Sequence, residues 1–236
     1  TNKMFHVYIG DDVSNNRPCA LFEKYQDQFT FTYCRFNDNL GGISLVKQWE
    51  RCLKLVENQA WVMIVGDDDT LQPNVVASFY QHLAEIENNK SSVIRFATQI
   101  INEYGDLISG VFQHPQLELA VDFLLRKLKG GTRSSLSEYI FKKEMIDNIH
   151  FKDFPLAWSS DTLAVVEFSC NQNIYTINQA IVNFRLSGKN ITSQTDSKEK
   201  NYAWFQFYYY LLTKYGKQYP EHLVELLFDK IEKVQL

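Results

Sequence analysis

Three consecutive carboxylates, Asp67, Asp68 and Asp69, follow an apolar run over residues 61–65, with only Gly66 between them. An apolar run that ends abruptly in acidic residues is typical of a buried strand, whose carboxyl end is where open α/β sheets bind ligands. Adjacent carboxylates repel one another, so they stay ionised only where a cation or hydrogen-bond donors compensate for their charge. Mg²⁺ and Mn²⁺ prefer oxygen ligands of this kind. The pattern therefore predicts a site for a metal-bound phosphate.

The same acidic stretch also fits a structural role. A helix is expected to begin near Pro73, and Asp69 or Thr70 stands where a side-chain oxygen caps the first turn of a helix. A solvated acidic turn of this kind needs no metal. Taken alone, the three carboxylates leave both interpretations open.

Composition excludes several classes of protein. The 236 residues suffice for one α/β domain with its own core, and the net charge of -4 without a dense Lys/Arg block argues against nucleic acid as a partner. The four cysteines form no CxxC pair, which argues against a zinc site or disulfide framework and fits a reducing cytosol. No stretch reaches the roughly 18 apolar residues of a membrane span, and no signal-peptide pattern is present. We therefore predict a soluble cytoplasmic protein.

Hydrophobic periodicity predicts strands and helices in alternation, which is typical of an α/β fold with a mostly parallel central sheet flanked by helices. The predicted strands are 5–10, 29–36, 61–65, 92–98, 139–141, 174–177 and 181–185, with a turn-rich β excursion over 99–112. The predicted helices are 17–28, 43–56, 73–87, 117–128, 143–149 and 162–170.

In the last part of the chain, the residue pattern predicts a linker followed by helices. Residues 187–200 are polar and lack apolar periodicity, and residues 202–234 read as helical with breaks near Gly216 and Pro220. The many aromatic residues of this tail either cover the sheet or lie on a membrane or a protein partner. Because few cations accompany the rings, we favour the structural role, with peripheral membrane attachment as the alternative.

Three stretches, in this order, carry a family resemblance. Residues 9–14 (IGDDVS) look like a strand followed by an Asp-Asp-x-Ser turn, residues 39–42 (NLGG) are similar to an Asn-x-Gly segment, and residues 66–69 (GDDD) with Pro73 look like a DxD region. Over roughly residues 5–190 the chain thus resembles family 2 glycosyltransferases of the GT-A fold. The resemblance implies a Rossmann-like sheet and inverting transfer of a hexose from a nucleotide-diphosphate sugar, commonly a UDP-sugar. It also implies a glycan or lipid-linked acceptor, as in polysaccharide biosynthesis at the inner face of a membrane.

The resemblance also implies the roles of the donor-site residues. Asp12 would accept hydrogen bonds from the base, Asp67 would face the ribose, and Asp68 would bind the Mn²⁺ or Mg²⁺ that joins the two phosphates. Gly66 stands where the family often has its first Asp, so Asp67 and Asp69 are further candidates to complete the metal site. For Asp69 we expect a cap on the next helix or a hydrogen bond to a metal-bound water. A divalent cation neutralises a diphosphate leaving group, so the bond to it breaks without a proton donor.

Inverting transfer requires a carboxylate that takes the proton of the attacking hydroxyl. Asp161 resembles the family's catalytic base in position, at the start of a helix after an aromatic-rich loop, although Ser160 replaces the usual preceding acid. As an alternative, Asp161 caps a helix that begins at Thr162.

Three residues are candidates for binding the acceptor. Trp158 would form an apolar platform for a sugar, with packing under its loop as the alternative. Arg133 lies in a Gly-containing loop that could close over phosphates, although a solvated surface role is the ordinary one for such a residue. Arg185 belongs to a segment that resembles the family's late Arg-x-His motif, where Ser187 replaces the histidine.

The family begins with a strand and a Pro-x-Tyr-Asn-like turn that this sequence lacks. We therefore expect either a fragment of a longer protein or a sheet completed in another way. We divide the chain into a GT-A domain, 1–190, and a linker with a C-terminal helical extension, 191–236. A catalytically silent GT-A-like module that binds a nucleotide or glycan is the alternative to an enzyme. A nucleotidyltransferase is disfavoured because no Gly-rich phosphate loop is present.

Overall fold

A computed structural model of the chain describes residues 2–15, 18–188 and 198–234. Its strands are β1 (His6–Asp11), β2 (Thr30–Arg35), β3 (Trp61–Met63), β4 (Thr70–Leu71), β5 (Val93–Ile101), β6 (Leu117–Leu119), β7 (Tyr139–Lys142) and β8 (Asn173–Arg185). Its helices are α1 (Cys19–Tyr25), α2 (Leu45–Leu53), α3 (Val75–Asn88), α4 (Ala120–Leu128), α5 (Lys143–Ile149), α6 (Ser160–Phe168), α7 (Lys198–Tyr215) and α8 (Glu221–Glu232). Short 3₁₀ turns occur at Leu136–Glu138 and Pro155–Ala157.

The larger sheet has six strands in the order β3-β7-β5-β8-β4, with β6 also paired to β8. Its two longest strands, β5 and β8, run parallel, whereas β7 lies antiparallel between β3 and β5. The strands that run against β5 and β8 are the short ones, β4, β6 and β7. The predicted α/β class with a mainly parallel sheet is therefore confirmed, and the reversed strands are an addition that periodicity did not indicate.

The smaller sheet consists of β1 and β2 alone. These strands are parallel and are joined through α1, which is the expected βαβ connection. Phe22 of α1 packs on Phe31 and Tyr33 of β2, with ring centroids 5.2 and 4.7 Å apart. No residue of α1 is buried.

Helices cover both faces of the larger sheet. On one face α3 buries Val75, Phe79 and Ile86 against β5 and β8, and on the other α2, α4 and α6 form a second cluster around Phe168. A third cluster joins α4 and α6 to α7 and α8, so the C-terminal helices pack on the same core. In the part of the chain that the structure describes, no helix is long and apolar enough to cross a membrane.

The structure corrects three predicted elements. Residues 117–119 form β6 rather than the first turn of a helix, because they pair with β8 at the sheet edge. The predicted strands 174–177 and 181–185 are one strand, β8, whose register against β5 shifts at residues 96 and 97. A strand, β4, precedes α3, which begins at Val75. Residues 189–197 of the predicted linker lie outside the described residues.

Candidate functional site

The three carboxylates occupy a tight turn just after β3. Asp69 N–H donates to the Gly66 carbonyl at 3.2 Å, and Gly66 N–H donates to Ser137 Oγ at 3.0 Å. A Cβ on residue 66 would lie 3.2 Å from Asp68 Oδ1, so glycine suits the close approach. The predicted capping role of Asp69 is wrong, because β4 intervenes and Asn74 is the N-cap residue of α3.

The carboxylates of Asp67 and Asp68 are open to a cation. Asp67 is exposed and Asp68 half-buried, and within the described ranges no cationic side chain forms an ion pair with either. Burial, reinforced by the charge of Asp69, raises the pKa of Asp68. Among the described residues no three His, Cys, Asp or Glu side chains converge into a complete metal site. The donor set fits a Mg²⁺ or Mn²⁺ ion that takes one or two carboxylates from the protein and its other oxygens from phosphates and water.

Asp12 holds together the segment that resembles the family's Asn-x-Gly motif. Its carboxylate accepts hydrogen bonds from Leu40 N–H and Gly41 N–H, each at 2.8 Å, and from the guanidinium of Arg51. A Cβ on residue 41 would lie 2.7 Å from Asp12 Oδ2, so glycine allows the backbone to approach this carboxylate without displacing it. Oδ1 has two donors and Oδ2 has one, so Oδ2 keeps acceptor capacity for a further N–H.

Asp161 lies in the first turn of α6, at the end of a strained loop. Leu156, Ala157 and Ser159 all have positive φ angles, of 58°, 53° and 68°, which is unusual for residues other than glycine and occurs preferentially at functional sites. Asp161 Oδ1 accepts a hydrogen bond from Thr162 N–H at 2.7 Å. Burial raises the pKa of Asp161, against the opposing charge of Lys127. The helix begins one residue before Asp161, so this residue is not the N-cap.

One large cavity, of about 1750 Å³, connects these features. Asp67, Asp68 and Asp69 line it from the carboxyl end of β3, and Asp161 lines it from α6. Gly10 of β1 also lines it, whereas Asp12, two residues further along the chain, is not among the lining residues. The structure therefore brings the carboxylate turn and the candidate base to one cavity, although they are far apart in sequence.

Trp158 lines the cavity and also packs on the C-terminal helices. Its ring meets Trp204 edge to face at a centroid distance of 6.0 Å, and Lys200 Nζ lies 4.4 Å from its ring centroid. Its indole N–H is buried and has no hydrogen-bond partner among the described residues. Both the platform and the packing interpretation of Trp158 are thus compatible with its position.

The two predicted arginines differ in position. Arg133 lines the cavity, but its guanidinium donates to Glu138 at 3.2 Å and stacks 4.5 Å from the Phe184 ring centroid. Arg185 is not among the residues that line the cavity, and its side chain donates to backbone carbonyls near the carboxylate turn. The cavity lining therefore gives no support to Arg185 as an acceptor-binding residue, and for Arg133 that role stays a prediction.

Sequence reasoning missed three residues near the site: Arg51, Lys127 and Ser137. Arg51 donates to Asp12, Ser137 accepts from Gly66 N–H, and Lys127 acts on Asp161 through its charge, so each reaches the site only in the tertiary structure. Only Arg51 carries a local signal, because it falls on the helix that begins just after the Asn-Leu-Gly-Gly segment.

No protein-family model matches this sequence, and no curated protein matches it. Solved structures do match. S. aureus TarS residues 1–349 in complex with UDP has a TM-score of 0.63 and 18% identity, covering 90% of this chain and 58% of that chain. A crystal structure of S. aureus TarS has a TM-score of 0.62 and 17% identity, covering 90% and 35%. GalNAc-T7 with UDP, GalNAc and Mn²⁺ has a TM-score of 0.53 and 10% identity, covering 94% and 47%.

The chain thus spans between about a third and three fifths of the length of these structures. At such low identities the likeness concerns the fold and does not transfer an activity. The helix-flanked sheet of this protein has the GT-A glycosyltransferase fold that the sequence resemblance implies.

Proposed function

We propose that this protein is a metal-dependent inverting glycosyltransferase of family 2, which transfers a hexose from a UDP-sugar to a glycan or lipid-linked acceptor. The observation that carries the proposal is the shared cavity, which Asp67 and Asp68 line together with Asp161. UDP in the TarS structure, and UDP with GalNAc and Mn²⁺ in the GalNAc-T7 structure, support a nucleotide-sugar donor.

In this proposal Asp161 is the general base. It takes the proton from the acceptor hydroxyl as the oxygen forms a bond to the anomeric carbon of the donor sugar. The bond from that carbon to the diphosphate oxygen breaks on the opposite face, and UDP leaves with the electron pair. The raised pKa of Asp161 makes its carboxylate a stronger base than an ordinary aspartate, because its charged form is less well solvated.

Asp68, with Asp67, would hold the metal ion, and Asp12 would face the base through its remaining acceptor capacity on Oδ2. When bound, a divalent ion supplies charge neutralisation for the departing diphosphate. Trp158 provides an apolar face for the acceptor sugar, and Arg133 lies in the same lining. Peripheral attachment to the inner face of a membrane would place a lipid-linked acceptor at this cavity.

Calorimetry of UDP with and without Mn²⁺ tests the donor site. We expect binding that depends on Mn²⁺ in the wild type and is lost in Asp68→Ala. Asp229→Ala, which removes an exposed carboxylate from α8, is the matched control and should bind as the wild type does. Absence of UDP binding to the complete protein would favour a silent module or another nucleotide.

We also propose that the GT-A domain extends over 1–190 and takes one more strand of the same polypeptide between β1 and β3. These two strands line the cavity, and among the residues that the structure describes no strand pairs with both of them. Helices α2 and α3 contribute apolar side chains to the same lining. A strand between them would thus be covered on both faces, which requires a continuous apolar run.

Along a strand, the N–H and C=O groups of successive residues point to opposite sides, which identifies the backbone groups of β1 and β3 that such a strand would pair with. The Asp11 carbonyl accepts from Phe36 N–H on the β2 side, so Tyr8, an odd number of residues away, directs its N–H towards the cavity. Just before β3 the Ala60 carbonyl accepts from Lys143 N–H on the β7 side. Met63 is also an odd number of residues away, so its N–H points away from β7 and towards the cavity. The N–H groups of Tyr8 and Met63 are therefore among those that the added strand would pair.

Amide exchange measured by NMR tests this strand. In a polypeptide that includes its upstream residues, the Tyr8 and Met63 amides should exchange at least about 10-fold more slowly than in residues 1–236 alone. The Val7 and Val62 amides, which face β2 and β7, are internal controls and should change less. Unchanged exchange at Tyr8 and Met63 would contradict the added strand. Protection that depends on protein concentration would show instead that a second copy of the protein fills the space between β1 and β3.

A further inference from the structure

The turn that carries the candidate metal ligands is held at two ends. Ser137 accepts from Gly66 N–H at its beginning, and Arg185, the last residue of β8, contacts its end. Arg185 N–H donates to Asp69 Oδ1 at 2.9 Å, and Arg185 Nε donates to the Asp68 carbonyl at 2.7 Å. The Arg185 side chain thus contacts the backbone of Asp68 directly.

The same guanidinium contacts a second loop. Arg185 Nη1 donates to the carbonyls of Asn102 and Glu103, at 2.9 and 3.1 Å. The Asn102 side chain orders this loop, because Oδ1 accepts from Tyr104 N–H and Asp106 N–H, each at 2.9 Å. Two carbonyls are therefore presented to Arg185 by a turn with its own hydrogen bonds.

We propose that Arg185 is a positioning residue, which sets the Asp68 carboxylate for the metal by tying its backbone to the Asn102 turn. This inference rests on the proposed function, in which Asp68 binds the metal. Only the planar fork of an arginine donates at once to carbonyls on two loops, because a lysine ammonium is a single point on a flexible stem. Its Nε–H and Nη1–H groups already donate to carbonyls of the carboxylate turn and of the Asn102 turn.

Charge-conserving substitution separates this role from direct binding of the diphosphate. A phosphate ligand needs mainly the positive charge, so Arg185→Lys would keep most of the affinity for UDP. A positioning residue needs the fork, so Arg185→Lys and Arg185→Met should behave alike. Asn102→Ala provides a second variant: it loosens the carbonyl-bearing turn at a position that does not line the cavity.

The experiment measures Mn²⁺ affinity at saturating UDP, UDP affinity in EDTA, and exchange of the Asp69 amide by NMR. We expect both Arg185 variants to lose about 10- to 100-fold in Mn²⁺ affinity, the usual effect of removing a group that orients a metal ligand, and to keep UDP affinity in EDTA within about 2-fold. Asn102→Ala should also lower the Mn²⁺ affinity, by about 3-fold. The control Lys142→Met, an exposed cation on β7, should change none of these values.

Two results would overturn the inference. One is wild-type Mn²⁺ affinity in Arg185→Lys together with loss of UDP affinity in EDTA in Arg185→Met, which would make Arg185 a diphosphate ligand. The other is an Asp69 amide that exchanges equally in all variants, since its hydrogen bond to Gly66 would then not depend on Arg185. If the wild type binds neither UDP nor Mn²⁺, the proposed function fails, and amide exchange alone decides whether Arg185 holds the turn.

Discussion

The six-stranded sheet is buried between helices, whereas the two-stranded sheet of β1 and β2 has only α1 beside it, a helix with no buried residue. None of the three core clusters includes a residue of β1, α1 or β2. The smaller unit is instead tied down by polar contacts. For example, Asp12 accepts from the N–H groups of residues 40 and 41 and from Arg51, and Tyr8 Oη donates to Gln59 at 2.9 Å.

The two regions differ in what they contribute to the proposed site. The six-stranded side supplies Asp68 from the turn after β3 and Asp161 from α6, two elements that are anchored on the packed core. The β1–β2 side supplies Asp12 from a unit held by hydrogen bonds and ion pairs. We infer that the six-stranded side sets the geometry of the chemistry, and that nucleotide binding depends on contacts that also hold the smaller unit in place.

The same substitution in both regions tests the contrast most directly. Phe168→Ala removes a fully buried ring from the larger core and should lower the free energy of unfolding by about 3–5 kcal/mol. Phe22→Ala removes a half-buried ring from α1 and should cost only about 1 kcal/mol, because less apolar surface returns to water. Urea unfolding measures both values. Equal losses would mean that the smaller unit is as well anchored as the larger one.

Removing the candidate base should affect activity without weakening the fold. Asp161→Asn should lower the transfer rate about 10³-fold, which is about 4 kcal/mol, with little change in UDP affinity. Because the folded pKa of Asp161 is raised, its ionised form destabilises the native state at neutral pH. The variant should therefore unfold at the same or a higher temperature. A lower melting temperature with residual activity would indicate a structural role.

The wild-type pH profile gives a second test of Asp161. The base acts only when ionised, so transfer should fall as the pH drops through its pKa. Because that pKa is raised, the loss should begin at a higher pH than for an ordinary aspartate. A kcat/KM profile without an acidic limb above the usual aspartate range would contradict this assignment.

On the β1–β2 side, Arg51→Met leaves the Asp12 carboxylate without its ion-pair partner. We expect UDP affinity to fall by about 10- to 30-fold, roughly 1.4–2 kcal/mol, because Asp12 and Asp38 lose the guanidinium that contacts both of them. Amide exchange should increase in β1 and β2 and stay unchanged in β5 and β8. Increased exchange in both sheets would show that the two regions unfold together.

Acid should destabilise the six-stranded side through His114. Burial, with the charges of Arg95 and Arg126, lowers the pKa of His114 to about 3. A lowered folded pKa contributes stability above the unfolded value of about 6.5, which is lost as the pH falls from there towards 3. The loss is at most about 1.4 kcal/mol per pH unit. His114→Gln should flatten this slope in urea unfolding between pH 6 and 4, whereas an unchanged slope would exclude His114 as its source.

Local sequence patterns were enough to predict many of the helices and strands. Helix α5 has the predicted bounds, and β1, β2, α2 and α3 agree within a few residues, because amphipathic periodicity and turn formers act over short distances. The order of the acidic motifs likewise indicated the GT-A fold. The pairing of β7 between β3 and β5 was not predictable in this way, because the sequence of a strand does not specify which strand lies beside it.

The candidate site also has features that the sequence predicts and features that only the tertiary structure shows. The sequence by itself determined which carboxylates are available, because three adjacent acids after an apolar run and an acid at a helix start are local features. Only the tertiary structure decided which of them share a cavity, which are already paired, and that Arg185 contacts the Asp68 backbone. These relations join residues far apart in the chain, and their energies arise from burial and hydrogen-bond geometry that exist only once the sheet has assembled.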